Sequence, residues 1–123
     1  MVVSMAKQQV FNDGVLTVYE VGNIAPMGDR PKEGIIQKFS NTLPYEERTV
    51  GVTRFVANKQ DQSIIEQLLR IPRVSGIARE NIVIPIDGEQ YRIKQVQSIN
   101  DVEPRCLDLS LERVDVNYEL AGD

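Results

Sequence analysis

Between Cys106 and Val114 apolar and polar residues alternate without a break: Leu107, Leu109 and Leu111 fall on one side of an extended chain, and Cys106, Asp108, Ser110 and Glu112 on the other. This period of two predicts a strand with one face in the core and one in water. On that reading Leu109→Asp unfolds the domain by burying a carboxylate without a partner, and Asp108→Ala is nearly silent. A second run of β-branched and aromatic residues extends from Val15 to Val21, and Asn12-Asp13-Gly14 before it predicts a hairpin turn from Gln8-Gln9-Val10-Phe11. Another hairpin is predicted from Ile82 to Ile86, the turn Asp87-Gly88, and Gln90 to Val96. Pro85 has no N–H to give to a ladder, so its N side has to face an edge or a bulge.

Arg48 to Asn58 is again rich in strand formers, with Gly51 a candidate bulge. Gln62 to Ile71 fits two periods. Ile64, Ile65, Leu68 and Leu69 share a helical face, whereas Ile65, Leu69 and Ile71 serve one strand face; Pro72 and the β surroundings tip the reading to strand. Asn100 to Arg105, with Pro104, reads as a polar turn. From Gly22 to Glu47 the periodicity disappears among Pro26, Gly28, Pro31, Gly34 and Pro44, so this stretch is expected to be a functional loop or to hide a short element, with Gly34 to Phe39 the candidate. About six short strands with hairpin turns predict an all-β chain, a small antiparallel barrel or sandwich with one long projecting loop.

The 123 residues suffice for one modest core, and the single domain is expected to span residues 1–123, with an acidic extension over 114–123. Hydrophobic residues make up 41% and charged ones 26%, too apolar a mixture for disorder along the whole length. Zero histidines and one cysteine exclude, within this chain, a Ser-His-Asp triad, a Cys-His dyad, zinc sites built on histidine or several thiolates, and a disulfide framework. No phosphate-binding glycine motif and no nucleophile elbow occurs. Glu46 and Glu47 are adjacent and so point to opposite strand faces, unable to share a reacting atom. Cys106 reads as a small inert strand residue and Asp87-Gly88 as a turn. A non-enzymatic protein without cofactor or metal is expected. Met1-Val2-Val3 is too short for a signal peptide's apolar stretch, and no run approaches the roughly 20 residues of a membrane helix, so a soluble protein without membrane contact is expected. Met5 is an alternative start to Met1.

Net charge is −4, and it is uneven: residues 62–123 hold seven Lys/Arg against eleven Asp/Glu, residues 1–61 seven against seven. Duplex-gripping proteins neutralise several phosphates with clustered cations, and no such cluster occurs here.

Three blocks taken in order carry a resemblance. They are Asp13-Gly14-Val15-Leu16-Thr17-Val18-Tyr19; Tyr45-Glu46-Glu47-Arg48-Thr49-Val50-Gly51-Val52-Thr53-Arg54-Phe55; and Asp87 to Gln97 with Asp101, Pro104 and Leu109-Ser110-Leu111-Glu112-Arg113. Over residues 8 to 113 the chain resembles the head-tail joining proteins of long-tailed bacteriophages and prophages, the head-closure or stopper type above all; Ile71 to Glu80 and the stretch after Arg113 depart from that pattern. The resemblance implies a virion protein of the phage neck, assembled in the bacterial cytoplasm. It would form a homo-oligomeric ring between a portal or adaptor protein and a tail-terminator or tail-tube protein. The 22–47 loop then projects into the channel, with Met27, Ile35, Ile36, Phe39, Tyr45 and Arg48 as channel and subunit-contact residues. Packaged DNA passes without sequence-specific binding. The alternatives are a tail-terminator or tail-completion protein, and a non-viral oligomeric β adaptor for peptide or single-stranded nucleic acid. The second is opposed by dispersed aromatics and the absence of tryptophan. The free subunit is expected to be monomeric or weakly associated, its loop mobile and replaceable from Ala25 to Ser40 without unfolding the barrel.

Overall fold

A computed structural model describes residues 7–48 and 65–121. Among these, nine strands and no helix occur: β1 (Lys7–Gln8), β2 (Gly14–Asn23), β3 (Glu33–Gln37), β4 (Leu43–Arg48), β5 (Gln67–Pro72), β6 (Ile82–Ile84), β7 (Tyr91–Ile99), β8 (Val102–Glu103) and β9 (Cys106–Arg113). The ladder runs β2-β4-β5-β9-β7-β6, and β6 returns to β2 through Thr17–Ile84, Val18–Val83 and Tyr19–Ile82. Every pairing in it is antiparallel. The chain is a closed six-stranded β-barrel, with β3 outside it on β2 and the short β1 and β8 paired in parallel.

Closure leaves an interior that alternate residues have to fill. Leu16 and Val18 of β2, Tyr45 of β4, Leu69 and Ile71 of β5, Val83 of β6, Tyr91 and Ile93 of β7, and Leu107, Leu109 and Leu111 of β9 form that core. The inward positions of β7 switch from odd to even numbers beyond Ile93. A bulge explains the switch: Ile93 pairs with Leu111 and Gln95 with Ser110, leaving Lys94 extra and bringing Val96 inward opposite Leu109. Such an insertion sharpens the bend of a strand, which a barrel this small requires.

A second apolar cluster lies on the outside of β2 and β6. Ile35 of β3, Ile82 and Val114 are buried there, with Tyr19, Ile84, Tyr118 and Leu120 packed against them. Residues 114–121 therefore do not trail away as an extension. They fold back along β3, where the Ile35 N–H donates to the Glu119 carbonyl (2.9 Å) and the Ala121 N–H to the Ile35 carbonyl (2.9 Å).

The expected hairpin is present, since Ile82 pairs with Arg92 and Val83 with Tyr91, but its first arm stops at Ile84, before Pro85, and not at Ile86. Gln67–Pro72 is strand, so the long-range ladder to β9 overrides the local helical spacing. Residues 49–58 of the expected Arg48 to Asn58 strand, and residues 62–64, lie outside the described residues.

Of the two readings of 22–47, the hidden element is found: β2 continues to Asn23 and turns into β3, which overlaps the expected Gly34 to Phe39. Two expectations are corrected. Residues 8–11 do not form a hairpin with β2; β1 pairs in parallel with β8 instead, which itself lies inside the expected polar turn. The polar face of β9 is not wet: Cys106, Asp108 and Ser110 are all buried.

Candidate functional site

The Asp13, Tyr45 and Asp87 blocks, far apart in sequence, meet at one rim of the barrel. Gly14 pairs with Tyr45. The Asp13 N–H donates to the Tyr45 carbonyl (3.0 Å), and the Glu47 N–H donates to Asp13 Oδ2 (2.7 Å). Just before the third block, the Ile86 N–H reaches the Tyr45 hydroxyl (3.4 Å). The Tyr91 hydroxyl donates to Asp87 Oδ2 (2.9 Å) and accepts from Gln67 Nε2 (3.1 Å). These contacts satisfy polar groups where β2, β4, β6 and β7 come together.

Burial here has a measurable consequence. It pushes the Tyr91 phenol up to about 12, helped by its hydrogen bond to Asp87, and raises the Tyr45 phenol in the same direction. A tyrosine in the unfolded chain ionises near 10. The folded state therefore holds these protons more tightly: its advantage is complete below pH 10 and falls as pH rises from about 10 to about 12. Tyr91→Phe should flatten that alkaline loss, read as denaturant midpoints across this range, while ultraviolet titration shows at least one phenol ionising late. A loss of stability identical in wild type and Tyr91→Phe would remove Tyr91 as its source.

The opposite feature is a projection. β2 makes its last barrel pairs at Tyr19, and from Glu20 to Asn23 it pairs with β3 alone. Asn23 Oδ1 accepts from the N–H groups of Ala25 (3.0 Å) and Lys32 (2.9 Å), tying the base of the connection. At its end the Asp29 N–H donates to the Pro26 carbonyl (3.1 Å), with Gly28 at φ +90°, the conformation a turn of this kind asks of glycine. Pro26, Gly28 and Pro31 erase the strand period because they build this turn. Met27 stands at the tip, fully exposed.

The six residues expected at the channel and between subunits are thus divided. Met27 is at the projecting tip, and Ile36, half-buried, lies on β3. Ile35 is completely buried in the chain's own second cluster, and Tyr45 is in the barrel core. Phe39 packs against the core. Arg48 is exposed on β4 and paired with Glu46 (2.5 Å), whose carboxyl it holds below the usual range.

On the outer wall, Glu46, Arg70, Asp108 and Gln97 form one row across β4, β5, β9 and β7. Arg70 binds Asp108 with two hydrogen bonds (Nε to Oδ1, 2.6 Å; Nη2 to Oδ2, 3.0 Å), and its Nη1 donates to Gln9 Oε1 (3.0 Å). Cys106 lies two residues along: burial pushes its thiol up, and its Sγ donates to the Pro104 carbonyl (3.0 Å), which fits an inert role. Among the described residues no buried side-chain nitrogen or oxygen lacks a partner, and none group as metal ligands.

Sequence reasoning missed a clamp on residues 114–121. The Gln90 side-chain amide donates to the Tyr118 carbonyl (2.9 Å) and accepts from the Tyr118 N–H (2.8 Å). Arg92 Nη2 reaches the Tyr118 hydroxyl (2.5 Å), with the guanidinium over the ring at 5.9 Å, and Lys32 pairs with Glu119. The acidic, aperiodic run after Arg113 gave no local signal of this.

Comparison with protein-family models, curated proteins and solved structures gives no match for this chain. The class that fold and geometry define is a small closed all-β barrel bearing one projecting hairpin.

Proposed function

We propose that the protein is a non-enzymatic structural subunit of the bacteriophage neck. It would form a ring between portal or adaptor and tail that closes the DNA channel and joins head to tail. The observation that carries this reading is the β2–β3 hairpin: a self-contained barrel sends out a tied two-stranded projection whose exposed end does nothing for its own core. Repeated around a ring, such a projection narrows a channel. Charge agrees with the role. The tip offers Asp29 beside Arg30, with Lys32 engaged by Glu119, so DNA meets few uncompensated cations and is not held by neutralised phosphates.

The test follows the observed limits of the hairpin. Replacing Ala25 to Ser40 removes Ile35 and with it the second cluster, so the informative change is confined to Ala25–Pro31, exchanged for a Gly/Ser turn of equal length. The barrel should keep its cooperative melt, because only the end of the hairpin changes. Particles carrying this variant should package DNA and then lose it before a tail attaches, read as full-length genome retained in tail-less heads. Retention equal to wild type would remove the stopper role and move the protein to the tail side of the neck, as a terminator.

A further inference from the structure

Residues 118–121 lie along β3, joined to it by a parallel bridge between Leu120 and Ile35, and are held by groups from the rest of the chain. The Ile35 N–H and carbonyl face outward from the hairpin; Gln90 offers an amide donor and acceptor side by side; Arg92 covers an aromatic ring; Lys32 pairs with a carboxylate. Gly34 makes the close approach possible: a Cβ there would sit 2.6 Å from the Glu119 carbonyl oxygen and 2.4 Å from Ile24 Cδ1. Together these are the parts of a site for a short extended peptide, with main-chain bonds for affinity and side-chain partners for register.

The occupant is joined through an exposed connector. Asp115, Val116 and Asn117 are exposed, and Val116 retains 81% of its accessible surface. An open hollow of about 520 Å³ separates this connector from Lys32, Glu33 and Arg92. Val114, by contrast, is buried in the second cluster and bonded to the Gln90 carbonyl (3.1 Å). The chain is anchored at Val114, exposed over three residues, and docked again from Tyr118.

We propose that this site accepts the Tyr118–Ala121 segment of a second copy, so that neighbouring subunits exchange straps. Every contact named above is regained in the exchanged pair, because the second copy carries the same segment; only connector conformation and the cost of association differ. For a dissolved monomer that cost favours its own strap, whose tether gives it an effective concentration in the millimolar range. Copies held side by side in a ring are at comparable local concentration, and exchange there costs little. The inference holds for any ring or dimer of this chain and does not depend on the neck assignment.

The Lys32–Glu119 pair allows a test with the full chain. Lys32→Glu sets two carboxylates against each other within one copy, and Glu119→Lys sets two ammonium groups. Mixed together, one variant's groove matches the other's strap at both sites of an exchanged pair. With one variant isotope-labelled and the mixture concentrated, native mass spectrometry should show the heterodimer enriched about tenfold over its statistical share, since two exposed ion pairs replace two repulsions of similar size. The enrichment should collapse at high salt, and a chain carrying both changes should behave as wild type. A statistical ratio, or monomers alone, would overturn the proposal. If either variant loses its cooperative melt, a labelled peptide spanning residues 114–121 titrated onto wild type decides instead. Saturation in the millimolar range supports exchange, and no binding there overturns it.

Discussion

Replacing Asp108 with alanine should lower the free energy of unfolding by about 3–5 kcal/mol, against the near-silence that the polar face of an alternating strand predicts. The side chains of Arg70 and Asp108 are only 10% and 11% exposed, and the guanidinium meets both carboxylate oxygens. Asp108 is the largest influence holding the Arg70 proton, ahead of the desolvation that opposes it. Truncation leaves the guanidinium buried with Gln9 as a neutral acceptor and Glu46 already engaged by Arg48. The cost comes from the orphaned charge and not from any great worth of the pair. It follows that Arg70→Met with Asp108→Leu, which removes both charges and keeps the volume, should recover most of the loss. Urea unfolding of wild type, single and double variants gives the four corners of a cycle. A single variant as stable as wild type would mean that water or Glu46 reaches Arg70.

The same pair shows where sequence reading stops. The alternation in β9 fixes period and inward leucines, and both are right, because they depend only on neighbours along one strand. Whether the other face is wet depends on Arg70, 38 residues away, and a buried ion pair and a solvated one have the same residue types. The Asp13-Gly14 signal failed in a related way. It is a turn signal, but Asp13 spends its carboxylate on the Glu47 N–H, across to β4, instead of turning the chain back on residues 8–11. The projection was legible as a stretch of 22–47 that had to be something other than a bare loop, and Gly34 to Phe39 did contain the hidden strand. Its orientation was not legible: Ile35 and Ile36 are equivalent in sequence, and only the return of residues 118–121 decides that Ile35 is the buried one. Met27 needed no such partner, since a residue between Pro26 and Gly28 at a turn has nothing to pack on.

Leu109→Asp should leave no folded protein at neutral pH. Leu109 is fully buried in the middle of β9, opposite Leu69 on one side and Val96 on the other, in the layer that all sides of the barrel share. Loss of the leucine side chain alone costs about 2–5 kcal/mol when the space cannot collapse, and a closed barrel resists collapse. The carboxylate adds a second cost. Kept ionised it is unpaired in an apolar interior; protonated instead, it is neutralised about three pH units above its ordinary pKa, which costs about 4 kcal/mol at neutral pH. The sum, about 6–9 kcal/mol, is of the size of the roughly 5–15 kcal/mol that holds a domain of this kind together. Leu109→Met, which keeps volume and polarity, should cost less than about 1.5 kcal/mol and serves as the control. Circular dichroism and thermal melts check both. Lowering the pH toward the aspartate's ordinary range should restore part of the Leu109→Asp fold, because protonation then removes the ionisation cost and leaves only the cavity. Wild-type melting in Leu109→Asp would mean that this position faces water, which would put β9 one residue out of register with β5 and β7.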